Sequence, residues 1–373
     1  MNNKTNILIV GAGFSGSVCA RELAERGFQI TIIDRRPHIG GNAYDKVDEY
    51  GVIIHPYGPH IFHTNSEHVF NWLSRFTEWN HYEHRVQAFV NQQYLPIPIN
   101  RTTINKLYGL GLDKAGVIQY LEQVKTNRKP IQNSEDVVLN SVGHDLCDKF
   151  FRGYTRKQWG IELRELSAGV AARIPTRTNN DDRYFQDKFQ YMPRHGYNQL
   201  FQTMLKHPNI KIKLSLDYRE AKRKFKFCHI IYTGPIDSFY EYCFGCLPYR
   251  SLEFEHQHLP KVRQFQKTAT INYPNDFLFT RITEFKHLTG QQHTGTSIVR
   301  EYPRAEGEPY YPIPQKENEI LYQRYKKLAD QECNVTFVGR LAQYRYYNMD
   351  QVVAAALKAS KNISKKLMEE ATT

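Results

Sequence analysis

Asn6-Ile-Leu-Ile-Val-Gly11-Ala-Gly13-Phe-Ser-Gly16-Ser-Val18, followed by Ile30-Thr-Ile-Ile-Asp34, decides the fold. A β-branched run, Ile7 to Val10, feeds directly into Gly11-x-Gly13-x-x-Gly16, and the apolar period of Val18, Cys19 and Leu23 predicts a helix closed by Gly27. A second apolar strand ends in Asp34, 18 residues beyond Gly16. Strand, glycine turn, helix, strand and acid, in that order, are the layout of a βαβ unit that binds a dinucleotide. Gly11 permits the tight turn, Gly13 lets backbone N–H groups approach a pyrophosphate, and Gly16 lets the helix pack closely on the strand. The helix start, with Phe14 and Ser15, offers free donors and a positive dipole end to the phosphates. Asp34 is placed to accept hydrogen bonds from a ribose.

Outward from that unit, composition narrows the classes. The chain has 373 residues, long for one core, with 40% hydrophobic and 24% charged residues. No run approaches the roughly 18 apolar residues of a membrane span, so membrane insertion is not expected. Met1-Asn-Asn-Lys leads straight into the first strand, which leaves no room for a signal peptide. Six scattered cysteines suit a reducing cytoplasm, and Cys243-Phe-Gly-Cys246 has no second ligand pair, so no metal is expected. The balance of 50 basic to 38 acidic residues gives +12. Without a dense Lys/Arg block beyond the Arg219 to Lys226 patch, expected to be a solvated strand edge, nucleic acid is not implied; a small polyanion is.

Arg35-Arg-Pro-His-Ile-Gly40-Gly41-Asn42-Ala-Tyr44 puts a second glycine pair after the ribose acid, which points to a flavin rather than a nicotinamide. Arg85 to Leu95 reads as a hairpin broken near Asn91-Gln-Gln, and Thr102 to Lys157 is helical, with Ser134 and the acids after it opening an amphipathic run. Gly109-Leu-Gly111 follows no strand and reads as a turn between helices. Strands rich in Tyr, Phe and Thr alternate from Tyr249 to Pro314. Val335-Thr-Phe-Val-Gly339 then predicts a late strand of the first parallel sheet, which makes the nucleotide domain discontinuous. Expected boundaries are 1–80, 192–240 and 315–373 for that domain, 98–160 for a helical domain, and 81–97, 161–191 and 241–314 for an antiparallel sheet.

There is no Gly-x-Ser-x-Gly elbow, Walker loop or His-Glu-x-x-His, so hydrolase chemistry has no candidates. Instead Arg clusters with Tyr and Trp in three places: Phe150 to Gly160, Arg173 to Phe185, and a late group from Arg281 through Tyr311 to Tyr346. Guanidinium forks bind pyrophosphate oxygens, while rings stack on a base or cap a sugar. With 25 Tyr and 21 Phe, many rings must also be plain core.

GAGFSG, HIGGNAYD, YGPHIFHTN, GYTRKQWG, ARIPTR, TGPID, TRITE, EPYYP and VGRLAQYRYYNMD, in this order along the whole chain, resemble bacterial UDP-galactopyranose mutases. The resemblance implies an α/β fold: a discontinuous Rossmann-like FAD-binding domain with an inserted helical domain and a six-stranded antiparallel sheet. It implies a homodimer and conversion of UDP-galactopyranose to UDP-galactofuranose for cell-surface polysaccharide. Reduced FAD would act through N5 as nucleophile at the anomeric carbon, with no net redox; NAD(P)H or another reductant would serve only to reduce it.

By the same resemblance Arg173, on a mobile loop, and Arg281 would clamp the diphosphate, and His63 would sit near the flavin as a third catalytic residue. Phe150, Phe151 and Tyr154 would hold the base, and Thr155, Trp159, Tyr184, Asn272, Tyr311 and Tyr346 would line the rest of the substrate path. Gly11, Gly13, Phe14, Ser15, Gly16, Asp34, Arg35, Gly41, Asn42, His60, Ile61, Arg340, Asn348 and Met349 would contact FAD. Two departures stand out. Asn348 replaces the family's usual Asp while keeping a polar helix cap, and His84 stands where an Asn usually lines the sugar pocket. A lost carboxylate and a bulkier ring leave open dTDP-fucopyranose, whose carbon 6 lacks the hydroxyl. An amine-oxidase-type flavin oxidoreductase, which shares the fold, would not need two Arg on one anion. A non-catalytic nucleotide-sugar-binding protein is the third alternative.

Overall fold

In the computed structural model, which describes residues 6–224 and 226–372, Ile7, Leu8 and Ile9 are fully buried. Their strand, Asn6–Val10, lies at the centre of a parallel sheet, and a parallel sheet is covered on both faces. The strand order is Ile210–Lys213, Gln29–Ile33, Asn6–Val10, His229–Tyr232, Val335–Phe337. The late strand thus returns to the first sheet, as its apolar run implied. Met1 to Lys4, read as running into the first strand, lie outside the described residues.

One face is covered by the helix Phe14–Glu25, against which the C-terminal helix Met349–Thr372 packs through Val353 and Ala356. On the other face Ala221 packs on Leu8 and Ile33, with Tyr218 beside it. This corrects the reading of Arg219 to Lys226 as a strand edge. Tyr218–Lys224 is a helix, whose apolar positions three residues apart face the sheet while Arg219 and Lys222 to Lys224 face outward; Phe225 lies outside the described residues.

A second sheet has seven strands rather than six: Tyr311–Pro312, Tyr249–Leu259, Thr296–Arg304, Arg281–Glu284, Thr270–Asn272, Val86–Val90 and Gln93–Ile97. The two-residue Tyr311–Pro312 pairs with Tyr249 and Arg250 and adds the extra edge. The sheet is also not wholly antiparallel, because Thr270–Asn272 runs parallel to Val86–Val90. The hairpin turns at Asn91 and Gln92, both with positive φ (48° and 60°), as a two-residue turn between twisted strands requires.

The helical segment runs through Arg101–Tyr108, Lys114–Val124, Ser134–Cys147 and Gly153–Trp159. Its core of Ile104, Leu139, Val142 and Leu146 packs on Ala88 and Leu95 of the second sheet. The cap of the third helix is Asn133, whose side chain accepts from Asp136 N, and not Ser134, whose Oγ donates to Ser167 O. A π-turn, Asp148–Arg152, interrupts the helical path and carries Phe150 and Phe151. A small sheet of Phe62–Thr64, Phe189–Pro193 and Trp79–His81 joins the core of the first sheet through Phe62 and Met192. Among the described residues no helix is long and apolar enough to cross a membrane.

Candidate functional site

The glycine turn works by exclusion of side chains. Gly11 has φ +103°, and a Cβ there would meet Thr233 Oγ1 at 2.1 Å. A Cβ on Gly16 would meet Gly11 O at 1.8 Å, so Gly16 lies beneath the turn and does not line the cavity, unlike the other expected cofactor residues. Gly13 caps the helix without a side chain, which leaves the first amides unclaimed for an anion. Gly41 approaches to 3.0 Å of Gly13 Cα, measured from its would-be Cβ, so the second glycine pair packs on the first.

Asp34 is buried at the strand end, where it accepts from Ala12 N (2.8 Å) and Arg36 N (2.9 Å). Each oxygen keeps a lone pair for a ribose hydroxyl. Arg36 donates to Asn42 Oδ1 (2.9 Å) and Arg35 pairs with Glu308. These groups line a cavity of about 480 Å³ that reaches from Asp34 to His60, Arg340 and Met349, at the carboxyl ends of the parallel strands. The side-chain-free cradle, the free helix amides and the pinned acid fit a dinucleotide.

His60, Arg340 and Met349 also border a smaller chamber of about 180 Å³, with Ile61, His63, His84 and Asn348. Tyr154, Tyr184, Asn272, Arg281, Tyr311 and Tyr346 are shared between this chamber and an outer cleft of about 960 Å³. Phe150, Phe151, Thr155, Trp159 and Arg173 line the cleft as well. Every substrate residue expected from sequence therefore lies on one connected surface.

Arg281 is held from below. Its strand partner is Glu301, and its Nε lies 3.3 Å from a carboxylate that is 2% exposed. Burial works against the Arg281 charge, but Glu301 and the phenols of Tyr154, Tyr311 and Tyr184 hold its pKa above the ordinary value. Burial also pushes the Glu301 carboxyl up, with Arg281 opposing. The pair stays ionised, because a guanidinium does not give up its proton and its charge fixes the carboxylate. Asn272 Oδ1 and Glu301 Oε1 are buried without a hydrogen-bond partner among the described residues. Both residues line the chamber, where a polar ligand can supply the missing partner.

Arg173 is supported differently. It is exposed, its guanidinium lies 4.4 Å from the Tyr346 ring centroid, and Nη2 donates to Asn348 Oδ1. Asn348 was expected to cap the last helix; its side chain goes to Arg173 instead, and Gln351 Oε1 accepts from Asn348 N (2.9 Å). Tyr346 meets Trp159 and Tyr311 edge-on, at 5.3 and 5.5 Å between centroids. Arg340 is fixed by the carbonyls of Tyr347 and Tyr310.

Three histidines face the chamber. Burial pushes His60 down to about 4 and His84 to about 3, so both are neutral near pH 7. His63 instead pairs through Nδ1 with Asp187 Oδ2 (2.8 Å) and stacks on Phe185. Glu301 and Asp187 escaped the sequence reading. Glu301 had one signal, a carboxylate in a strand-like run two residues after Ile298-Val299; Asp187, in a polar loop, had none.

The comparisons match this geometry. The UDP-galactopyranose mutase family model covers residues 149–346, and one for NAD(P)-binding Rossmann-like domains covers 9–76. A probable UDP-galactopyranose mutase from Klebsiella pneumoniae is 45% identical over 368 residues, 96% of this chain and 94% of that protein. A dTDP-fucopyranose mutase from Escherichia coli is 39% identical over 367 residues, 95% and 97% of the two. A crystal structure of reduced UDP-galactopyranose mutase superposes with a TM-score of 0.77 at 18% identity, over 96% and 95% of the chains, and shares the fold. The family and the Rossmann-like domain together point to a flavin cofactor, and the family implies a nucleotide-sugar substrate. With full-length relatives at this identity and the family's residues on one surface, the chain belongs to the UDP-galactopyranose mutase family and is a mutase.

Proposed function

We propose that the protein interconverts UDP-galactopyranose and UDP-galactofuranose with FAD as cofactor, for cell-surface polysaccharide. Support comes chiefly from Arg281, kept charged by buried Glu301 in a chamber that opens from the dinucleotide cradle. Gly11, Gly13 to Ser15, Gly41 and Asn42 hold the cofactor's diphosphate, Asp34 and Arg35 its adenosine end, and His60, Ile61, Arg340, Asn348 and Met349 its flavin. The start of the 24-residue last helix directs its N-terminal dipole toward that end, which favours negative charge on the ring. When bound and reduced, the flavin supplies a nucleophilic N5 for the anomeric carbon, and NAD(P)H or another reductant serves only to reduce it.

The chain's own residues do the rest. Arg281 and Arg173 take the charge that builds on the departing diphosphate and keep it close for return. Phe150, Phe151 and Tyr154 hold the base, Thr155 and Trp159 the path beside it, and Tyr184, Asn272, Tyr311 and Tyr346 surround the sugar. His63 stands beside the reacting centre. The division at 1–80, 192–240 and 315–373 for the cofactor domain, 98–160 for the helical domain, and the remainder for the substrate sheet is part of this reading. A cytoplasmic homodimer belongs to the same reading.

His84 and Asn348 favour a second reading, a dTDP-fucose substrate, because His84 fills part of the chamber with a buried ring (4% exposed). The dithionite-reduced enzyme should be offered UDP-galactofuranose and dTDP-fucofuranose separately. A higher kcat/KM for the first supports the proposal; product from dTDP-fucofuranose only would replace it with the second.

A further inference from the structure

Ring contraction moves one proton. The carbon-4 hydroxyl loses its hydrogen on becoming the ring oxygen, and the carbon-5 oxygen gains one on leaving the ring. This holds for either sugar, and it calls for a group in the chamber that takes a proton and returns it. The inference below rests on the mutase reading.

Of the three chamber histidines, His60 places Nδ1 against Gly58 O and His84 places Nδ1 against the Tyr82 hydroxyl (3.1 Å). His63 has a carboxylate partner, Asp187, at 2.8 Å. The fold builds this contact from two strands. His63 is in register with Gln190, and the chain just before Phe189 turns so that Asp187 meets the imidazole edge and Phe185 its face, 3.6 Å between centroids and 13° apart. The other Asp187 oxygen accepts from Asn65 Nδ2 (2.7 Å), Gln190 Nε2 donates to Asp187 O (3.0 Å), and Lys188 N donates to Asn65 Oδ1 (2.9 Å). The ring is therefore held on one face and one edge. A carboxylate only accepts, so in the neutral ring the hydrogen is on Nδ1 and the lone pair is left on Nε2.

We propose that Asp187 is a positioning residue that fixes His63 as the Nδ1–H tautomer, so that His63 Nε2 carries the proton from carbon-4 oxygen to carbon-5 oxygen. The O–H bond at carbon 4 breaks as N–H forms on Nε2. That N–H then breaks as O–H forms at carbon 5. Nothing is oxidised, and the Nδ1 hydrogen stays in place.

The test uses FAD-loaded enzyme and both furanose sugar nucleotides. Asp187→Ala should lower kcat about 100-fold with KM within about threefold, and Asp187→Glu should recover part of the loss. In selectively ¹⁵N-His-labelled wild-type protein, with His63 assigned by comparison with His63→Asn, the spectrum should show Nδ1–H; in Asp187→Ala it should become a tautomer mixture. A kcat within about twofold of wild type in flavin-loaded Asp187→Ala would overturn the proposal. So would an Nε2–H tautomer in the wild type, which needs no variant to fold. Wild type with the Nδ1–H tautomer but no turnover would instead bring down the mutase reading, and the proton role with it.

Discussion

Arg281 and Arg173 reach the same cleft on opposite kinds of support. Arg281 stands on a strand, opposite Glu301, in a setting where burial strengthens each charge interaction. Arg173 comes from an irregular stretch, is exposed, and rests on a neutral amide and a ring. The first is preorganised for an anion before any ligand arrives, while the second can leave Asn348 at little electrostatic cost. One fixed and one releasable guanidinium suit the proposed reaction, in which a diphosphate departs, waits and returns.

The largest effect that tests this contrast is Arg281→Ala. It should lower kcat/KM roughly 1,000-fold, about 4 kcal/mol, with the flavin absorbance intact; wild-type-like rates would break the comparison at its stronger end. Arg173→Ala should cost about 50-fold, a little over 2 kcal/mol, because this guanidinium is exposed and held only by a neutral amide and a ring. Equal losses at the two positions would erase the distinction.

The dry setting of Arg281 has its own signature. Burial pushes His84 from 6.5 down to about 3, with Arg281 and His63 adding to the fall. Above pH 6.5 both folded and unfolded chains keep this ring neutral. Below it the unfolded chain binds a proton that the folded chain refuses, so stability falls as pH drops from 6.5 toward 3. His84→Asn should remove up to about 2 kcal/mol of that loss near pH 5, seen as a shallower fall of the urea midpoint between pH 8 and 5. An unchanged slope would mean that the chamber is wet. The smallest effect is Asn348→Asp, which makes Arg173's partner charged. UDP should bind about two- to fivefold more weakly at low salt, with the difference vanishing at high salt; tighter binding would contradict the releasable role.

The two ends of the molecule were not equally legible in sequence. The cradle is written in neighbours: Gly11 to Gly16, Asp34 and Gly40-Gly41 lie close together, and Gly11, Gly16 and Gly40 each answer a local steric demand. The chamber is written across the chain. His63 meets Asp187 124 residues away, and Arg281 meets Glu301 only through strand register. The resemblance supplied roles for Arg173 and Arg281, yet it carried no hint of Asp187. Local pattern failed at Tyr218–Lys224 as well, since two apolar positions in seven residues give too short a period to outweigh the run of basic side chains. The seventh strand, two residues long, is set by pairing with Tyr249 and Arg250 and has no sequence period to read.

The central claim, that this fold isomerises a nucleotide sugar without net oxidation, is tested most directly by product analysis. Oxidised and dithionite-reduced enzyme should each be given UDP-galactofuranose under anaerobic conditions, with products separated by chromatography and reductant followed by absorbance. The account predicts UDP-galactopyranose from the reduced enzyme only, over many turnovers and with no further reductant consumed. Absence of pyranose from the reduced enzyme, or oxidation of the sugar nucleotide in step with flavin reduction, would contradict it.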